Sequence, residues 1–242
     1  MFTPDKTIGI LGSGQLGRML VIAASQLGLR THVFAPDAND SPAGELAHER
    51  TEATYDDQAA LEKFACNVDA VTSEFENVPA KAMTFFAKHC VVSPGQAALH
   101  TAQHRIREKS LARELGIETP RFWHITSSAD LIEAMAELDG DGILKTCQLG
   151  YDGKGQARLS AGDDFVAVFE ALQTNDAILE EMIPFRAEAS FLVARTTSGT
   201  LSLFPASLNE HKNGILTRSL APAALPDVVI NEGQTAVSAL AE

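Results

Sequence analysis

The sequence contains few cysteines, few basic residues and no long apolar run. Its 242 residues include three cysteines, Cys66, Cys90 and Cys147, and 19 Lys and Arg against 32 Asp and Glu, for a formal net charge of -13. Three widely spaced cysteines are too few for a disulfide framework or a zinc site, which favours a reducing compartment and inert thiols. The acidic balance argues against nucleic acid or an anionic membrane as a partner, because the surface would repel both.

Targeting and membrane signals are also missing. No apolar stretch approaches the length of a bilayer span, and residues 1–6 are short and polar, unlike a secretory signal. These absences predict a cytoplasmic protein. With 45% hydrophobic and 21% charged residues, the chain can bury the core of one large domain or two small ones.

The first part of the chain alternates between β and α patterns. Short apolar runs predict strands at 7–11, 31–35, 70–73 and 91–93, and helical spacing predicts helices at 15–27, 57–64 and 80–87. Alternating strands and helices predict a parallel sheet covered on both faces, as in Rossmann-like α/β domains.

The pattern changes after a charged helix predicted at 101–115, which ends at Gly116. We place the domain boundary there, giving domains 1–116 and 117–242. The second domain is predicted to be α+β, with strands at 122–125, 143–146, 156–159 and 178–181, helices at 128–138 and 164–172, and two β runs, 188–196 and 200–206, around a turn at Ser198-Gly199.

A first glycine loop, Gly12 to Gly17, has the form G-x-G-x-x-G between a strand and a helix. Asp37 lies near the end of the second strand, so a nucleotide-dependent dehydrogenase must be considered. The loop itself implies only backbone amides at a helix N-terminus. A dinucleotide, another phosphorylated ligand and a structural turn all remain open.

A second glycine loop follows Lys145, which ends a predicted strand. Residues 150–156 read GYDGKGQ, and such a flap can close on a polyphosphate while Lys145 and Lys154 neutralise charge. The lysine precedes the glycines, so this is not a Walker loop. Further on, residues 180–183 (EEMI) resemble a strand end whose backbone could contact an adenine edge, although exposed acids at a strand end would look the same.

Four segments together resemble the 5-(carboxyamino)imidazole ribonucleotide synthases of the ATP-grasp superfamily. They are 12–20 (GSGQLGRML), 73–79 (SEFENVP), 150–156 (GYDGKGQ) and 211–216 (HKNGIL). The resemblance implies a pre-ATP-grasp domain followed by an ATP-grasp domain with a small lobe at about 117–182 and the start of a large lobe at 183–242. It implies carboxylation of the exocyclic amine of 5-aminoimidazole ribonucleotide with ATP and bicarbonate, through carboxyphosphate, in purine biosynthesis.

The resemblance also assigns roles to individual residues. The implied ATP-contacting positions are Arg105, Lys145, Gly150, Tyr151, Asp152, Gly153, Lys154, Gly155, Gln156, Glu180, Glu181, Met182, Ile183, Glu188 and His211. The implied ribonucleotide positions are Gly14, Gln15, Leu16, Glu76, Tyr151, Asp152 and Lys154. Lys145, Tyr151, Asp152 and Lys154 are the implied catalytic residues.

The resemblance is incomplete at the C-terminal end. Family members carry their Mg²⁺ ligands beyond the point that corresponds to Glu242, so no metal ligand is assigned here, and Asn231-Glu232 is interpreted as a helix cap. Family members are commonly dimers. The alternatives are another ATP-grasp carboxylase or formyltransferase, or a nucleotide-binding module without turnover.

Overall fold

The computed structural model describes residues 3–150, 154–212 and 214–242. The chain divides into two compact units, residues 1–103 and 104–242. The division falls before the boundary predicted at Gly116, because the helix that starts at Arg105 is tied to the second unit: the Arg105 N–H donates to the Cys147 carbonyl at 3.0 Å. In the described parts of the chain, no helix has both the length and the apolar character needed to cross a membrane.

The first unit is a parallel sheet flanked by helices, as the alternation predicted. Its strand order is β3-β2-β1-β4-β5, and every pairing is parallel. The elements are β1 (Thr7–Leu11), α1 (Gln15–Gln26), β2 (Arg30–Ala35), β3 (Glu49–Glu52), α2 (Gln58–Ala65), β4 (Ala70–Ser73), α3 (Ala80–Phe86), β5 (Val91–Val92) and α4 (Gln96–Ala102).

Two apolar clusters cover the two faces of this sheet. Ile10 and Val33 pack with Val21 of α1 on one face. On the other face, Leu11 and Phe34 pack against residues of α2 and α3, including Leu61, Phe64, Met83 and Phe86. Strand residues alternate between the two clusters, so burial on both faces fixes the register of β1 and β2.

The second unit begins with a four-stranded antiparallel sheet in the order β6-β9-β7-β8. Its elements are α5 (Arg105–Glu114), β6 (Phe122–Ile125), α6 (Ser128–Leu138), β7 (Gly142–Thr146), β8 (Gln156–Leu159), α7 (Phe165–Ala171) and β9 (Ala177–Glu181). One face is covered by α6 and α7: Leu144 and Leu179 are fully buried against Leu131 and Leu138. Lys145 and Glu180, the next residues along the two strands, therefore lie on the opposite face.

The rest of the second unit consists of short strands and one helix. The elements are β10 (Glu188–Ser190), β11 (Val193–Arg195), β12 (Leu201–Leu203), β13 (Ser207–Lys212), β14 (Ile215–Leu220) and α8 (Asp227–Ala241). Strands β10, β13 and β14 form one antiparallel sheet, and β11 pairs with β12 around the predicted turn at Ser198-Gly199.

Several predicted elements differ from those observed. The single helix predicted at 101–115 is two helices, because the chain is extended at His104 (φ -140°, ψ 115°). The run predicted at 188–196 is two strands in different sheets, and β3, β13 and β14 were not predicted. Asn231-Glu232 lies one turn inside α8, which begins at Asp227, so its interpretation as a cap is wrong.

Candidate functional site

The first candidate site lies at the carboxyl ends of β1, β2 and β4. A cavity of about 570 Å³ is lined there by the glycine loop together with Asp37, Tyr55 and Glu74. In a sheet of order 3-2-1-4-5, β1 and β4 flank the point where the strand order reverses, and such crevices are where open α/β sheets bind ligands. The glycine loop therefore lies at the edge of a cavity.

Glu74 is bonded to the glycine loop through both carboxylate oxygens. Its Oε1 accepts from the Gly14 N–H at 2.6 Å, and its Oε2 accepts from the Gly17 N–H. A Cβ added at Gly12 would lie 2.5 Å from Glu74 Cγ, and the φ of +103° at Gly12 also favours glycine. The glycines thus make room for a carboxylate at the N-terminus of α1, where negative charge is stabilised.

The Gln15 and Leu16 amides complete this helix start. The first N–H groups of a helix have no partner within the helix. Among the described residues, no hydrogen-bond acceptor is found for the N–H of Gln15 or of Leu16. Both residues are exposed. Gly14, predicted alongside them, already donates to Glu74.

Glu76 is oriented differently from Glu74. Strand β4 ends at Ser73, so Glu74 and Glu76 both lie in the loop that follows it. Glu76 is exposed, and its Oε1 accepts from Asn77 Nδ2 at 2.9 Å. The acid that contacts the glycine loop is therefore Glu74.

Asp37 and Tyr55 complete the wall of this cavity. Asp37 Oδ1 accepts from Ser13 Oγ at 2.6 Å. Burial raises the pKa of the Tyr55 hydroxyl, and the neighbouring charges of Glu74 and Asp37 add to the rise, so it stays protonated at neutral pH. The cavity therefore combines a fixed hydroxyl with two carboxylates.

The second candidate site is an ionic cluster on the open face of the antiparallel sheet. Lys145 Nζ lies 2.9 Å from Glu180 Oε2, and Lys109 Nζ from α5 lies 3.6 Å from the same oxygen. Glu180 is 6% exposed. Two lysines share one carboxylate, which leaves one positive charge in excess within the cluster. Lys109 was not identified from the sequence, because nothing in the motifs connects α5 to β9.

Glu180 retains an unused acceptor. Its Oε1 is buried and has no hydrogen-bond partner among the described residues. Leaving a buried carboxylate oxygen unpaired costs about 1–3 kcal/mol or more. A ligand that donates a hydrogen bond there would remove this cost.

Arg105 holds the base of the second glycine loop. Its Nε donates to the Thr146 carbonyl at 3.2 Å, and one terminal nitrogen donates to the Gly150 carbonyl at 3.3 Å. Across the loop, the Thr146 N–H donates to the Gly155 carbonyl at 2.8 Å, and Gln156 pairs with Lys145. The loop is thus a hairpin anchored beside Lys145. Tyr151, Asp152 and Gly153 lie outside the described residues; Lys154 is exposed.

The predicted hinge residues lie on both faces of β9. Glu180 faces Lys145, whereas Glu181 Oε2 accepts from Arg121 Nε at 3.1 Å. The hydrogen bond to Arg121 is the main cause that lowers the pKa of the Glu181 carboxyl. Met182 and Ile183 follow, with side chains 36% and 44% exposed, as apolar surface next to Glu180.

Glu188 and His211 are brought together by the second sheet. Glu188 pairs with Asn209 in the register of β10 and β13, so His211, two residues on, lies on the same face. Its Nε2 is 3.5 Å from Glu188 Oε1. His211 thus lies in a strand and contacts the acid predicted to share its ligand.

Comparison with known proteins agrees with this arrangement. The model of the ribonucleotide synthetase preATP-grasp domain matches residues 5–103, and the model of the ATP-grasp domain matches residues 110–242. The second match covers more than half of the chain, and the chain belongs to the ATP-grasp family. The family resemblance predicted from the four motifs is confirmed.

Individual relatives include synthases of N5-carboxyaminoimidazole ribonucleotide. The chain is 42% identical over 239 residues to the N5-carboxyaminoimidazole ribonucleotide synthase of Brucella melitensis, covering 98% of this chain and 66% of the relative. A crystal structure of N5-carboxyaminoimidazole synthetase from Staphylococcus aureus with ADP matches at 30% identity with a TM-score of 0.90, covering 99% of this chain and 64% of that one.

A third relative was solved with two small molecules. The N5-carboxyaminoimidazole synthase of Aspergillus clavatus, in complex with ADP and 5-aminoimidazole ribonucleotide, matches at 26% identity with a TM-score of 0.86, covering 98% of this chain and 63% of that one. This chain thus spans just under two thirds of the length of each of the three relatives.

Proposed function

We propose that this chain carries the ribonucleotide-binding and ATP-binding parts of a 5-(carboxyamino)imidazole ribonucleotide synthase. The activity would be carboxylation of the exocyclic amine of 5-aminoimidazole ribonucleotide, driven by ATP and bicarbonate through carboxyphosphate. The observation that carries the proposal is the cluster of Lys145, Lys109 and Glu180 next to a glycine hairpin anchored by Arg105. A cationic site beside a glycine-rich loop is suited to a triphosphate.

For ATP, we assign Lys145 to the phosphates and residues 180–183 to the adenine. Lys145 would exchange Glu180 for a phosphate oxygen, while Lys109 stays near the carboxylate and limits the cost of leaving it unpaired. Glu180 Oε1 is a buried acceptor suited to an amino group such as that of adenine. Gly150 to Gln156 would cover the phosphates, with Glu188 on the ribose and His211 as its partner.

For the ribonucleotide, we assign the 5′-phosphate to the exposed amides of Gln15 and Leu16. Gly14 and Gly17 are engaged by Glu74, which fixes the loop and offers a carboxylate to a ligand in the cavity. Glu76, Tyr151, Asp152 and Lys154 remain proposed contacts, and Tyr151 and Asp152 are proposed to orient or deprotonate the amine. Catalysis would depend on positioning and on excluding water from carboxyphosphate.

Mg²⁺ is expected with ATP, but the described residues do not form a site that fits it. Mg²⁺ prefers oxygen ligands in octahedral geometry, and the described residues bring together only one potential ligand group, which contains histidine and cysteine. No step is assigned to the ion. A cytoplasmic homodimer is proposed on the family resemblance.

Binding of ATP to this chain tests the proposal. Calorimetry should detect ATP binding to the wild type, and Lys145→Gln should weaken it by about 10- to 100-fold, since a charge-assisted hydrogen bond contributes about 1.5–3 kcal/mol. Lys88→Gln, at an exposed lysine of the first unit, should leave binding unchanged. Binding of NAD without ATP would favour a dehydrogenase and refute the proposal.

Turnover separates the remaining alternatives. ATP hydrolysis that requires both bicarbonate and 5-aminoimidazole ribonucleotide is expected in a C-terminally extended chain. Hydrolysis stimulated by a different amine substrate would indicate another ATP-grasp carboxylase or formyltransferase. ATP binding without turnover in either chain would indicate a nucleotide-binding module.

A further inference from the structure

A cluster of potential metal ligands lies at one end of the antiparallel sheet in the second unit. His104 precedes α5, Cys147 follows β7 and Asp176 precedes β9. One ligand atom from each lies within 4.8 Å of the others. Strands β9 and β7 are antiparallel neighbours, so the start of one meets the end of the other, and the Cys147 N–H donates to the Asp176 carbonyl at 2.9 Å.

The side chains already converge on one carboxylate. His104 Nε2 is 3.1 Å from Asp176 Oδ2, and the Cys147 Sγ lies within 4.8 Å of the ligand atoms of both residues. His124 from β6 approaches the other oxygen, with its Nε2 2.8 Å from Oδ1. For metal–ligand bonds of about 2.0–2.2 Å, neighbouring ligands of a tetrahedral ion lie about 3.3–3.6 Å apart, so His104 Nε2 and Asp176 Oδ2, now 3.1 Å apart, would separate by a few tenths of an ångström to bind one ion.

Burial and access also suit an ion. Cys147 is 1% exposed and the His104 side chain is 11% exposed, whereas Asp176 is 35% exposed and provides a path from solvent.

From this arrangement we propose that His104, Cys147 and Asp176 form a binding site for a soft divalent cation of the Zn²⁺ class. The ligands would be His104 Nε2, Cys147 Sγ and Asp176 Oδ2, with water in the fourth position. His124 would remain hydrogen-bonded to Oδ1 and orient the ligating carboxylate, a common outer-shell role. Nitrogen, thiolate and carboxylate ligands together favour Zn²⁺ or Co²⁺ over Mg²⁺.

Binding would displace one proton. The Cys147 thiol would lose its proton to solvent to bind as thiolate, and the neutral His104 ring would carry its proton on Nδ1. The sequence interpretation excluded a zinc site because cysteines are few. The site instead combines one cysteine with a histidine 43 residues before it and an aspartate 29 residues after it in the sequence.

The site would stabilise the base of the glycine hairpin. The Cys147 carbonyl accepts from the Arg105 N–H, and the Arg105 side chain holds the Thr146 and Gly150 carbonyls. An ion bound to Cys147 would therefore fix the chain where the hairpin begins. This consequence does not depend on which nucleotide the hairpin covers.

Cobalt titration of the reduced full chain without a histidine tag tests the site. Co²⁺ should produce a thiolate-to-cobalt absorption band that saturates at one equivalent. Cys147→Ser should abolish the band, and Cys66→Ser, at an exposed cysteine outside the cluster, should retain it. Competition with Zn²⁺ should remove the band from both the wild type and Cys66→Ser.

Further variants keep the test decisive if Cys147→Ser does not fold by circular dichroism. His104→Gln and Asp176→Asn should weaken Co²⁺ binding at least tenfold relative to Cys66→Ser, and His124→Gln should weaken it by roughly 10- to 100-fold. Absence of the band in the wild type, its persistence in folded Cys147→Ser, or unchanged affinity in both His104→Gln and Asp176→Asn would overturn the proposal.

Discussion

Glu74, which directly follows β4, stabilises the start of α1. Its carboxylate accepts two loop amides, so a side chain of the protein occupies part of the anion-binding position of a G-x-G-x-x-G loop. A dinucleotide pyrophosphate would have to displace it, whereas a single phosphate can use the amides of Gln15 and Leu16. This difference is the physical reason for preferring a ribonucleotide phosphate in the first cavity.

Replacing this carboxylate should destabilise the first unit. Glu74→Gln presents an amide in place of two charged acceptors, and we expect a loss of about 1–3 kcal/mol in the free energy of unfolding, measured in urea. Glu76→Gln is the matched control, since Glu76 is exposed, and should change stability by less than about 0.5 kcal/mol. Equal losses in the two variants would contradict the role given to Glu74.

The residues of the two sites differ in how far the sequence predicts them. Lys145, Arg105 and the glycines lie in recognisable segments. The resemblance assigned Glu188 and His211 to the same ligand, and the two side chains lie 3.5 Å apart. Lys109 and Glu74 were missed as site residues. Their roles depend on contacts between α5 and β9 and between β4 and the loop after β1, which no local pattern encodes.

At the scale of elements, the hydrophobic pattern of the sequence predicted the buried strands but did not predict strands made of polar or exposed residues. Strands β1 and β4 are apolar and bounded by turn residues, and both were predicted with the observed bounds. Strand β3 reads ERTE, and all six residues of β14 are exposed, so neither has a hydrophobic pattern. The helix break at Gln103-His104 also depends on contacts with residues distant in the sequence. Gln103 Nε2 donates to the Glu76 and Val78 carbonyls at 2.6 and 2.8 Å.

Helix α6 begins with a capping box that can be tested directly. Ser127 accepts from the Asp130 N–H, and Asp130 accepts from the Ser127 N–H at 3.0 Å. Ser127→Ala should lower the free energy of unfolding of the second unit by about 1 kcal/mol. Hydrogen bonds from Thr126 and Ser127 lower the pKa of the Asp130 carboxyl from 3.8 to about 2.

The lowered pKa fixes the sign of a pH dependence. Because the folded form binds the Asp130 proton less tightly than the unfolded form, the stabilisation is complete above pH 3.8 and is lost as the pH falls through about 2. Asp130→Asn should therefore reduce the loss of unfolding free energy that occurs as the pH is lowered from 3.8 to about 2. Glu133→Gln, at an exposed acid of the same helix, should not change this loss of unfolding free energy if the loss comes from the capping box.

At the scale of the molecule, the two compact units have separate apolar cores. The only tryptophan of the sequence, Trp123, lies in β6 of the second unit, where its Nε1 donates to Glu137 Oε2 at 3.0 Å. Its fluorescence therefore reports unfolding of the unit that contains the proposed ATP site.

ATP should raise the midpoint of the thermal transition seen by Trp123, because a ligand at 100 times its Kd stabilises the state it binds by about 2.7 kcal/mol. Lys145→Gln, if it binds ATP 10- to 100-fold more weakly, should keep only about 0.4–1.4 kcal/mol of this stabilisation at the same ATP concentration, and Lys88→Gln should keep all of it. A shift of equal size in Lys145→Gln would place ATP away from the cluster of Lys145, Lys109 and Glu180, because removing the charge that neutralises the phosphates would then have cost nothing.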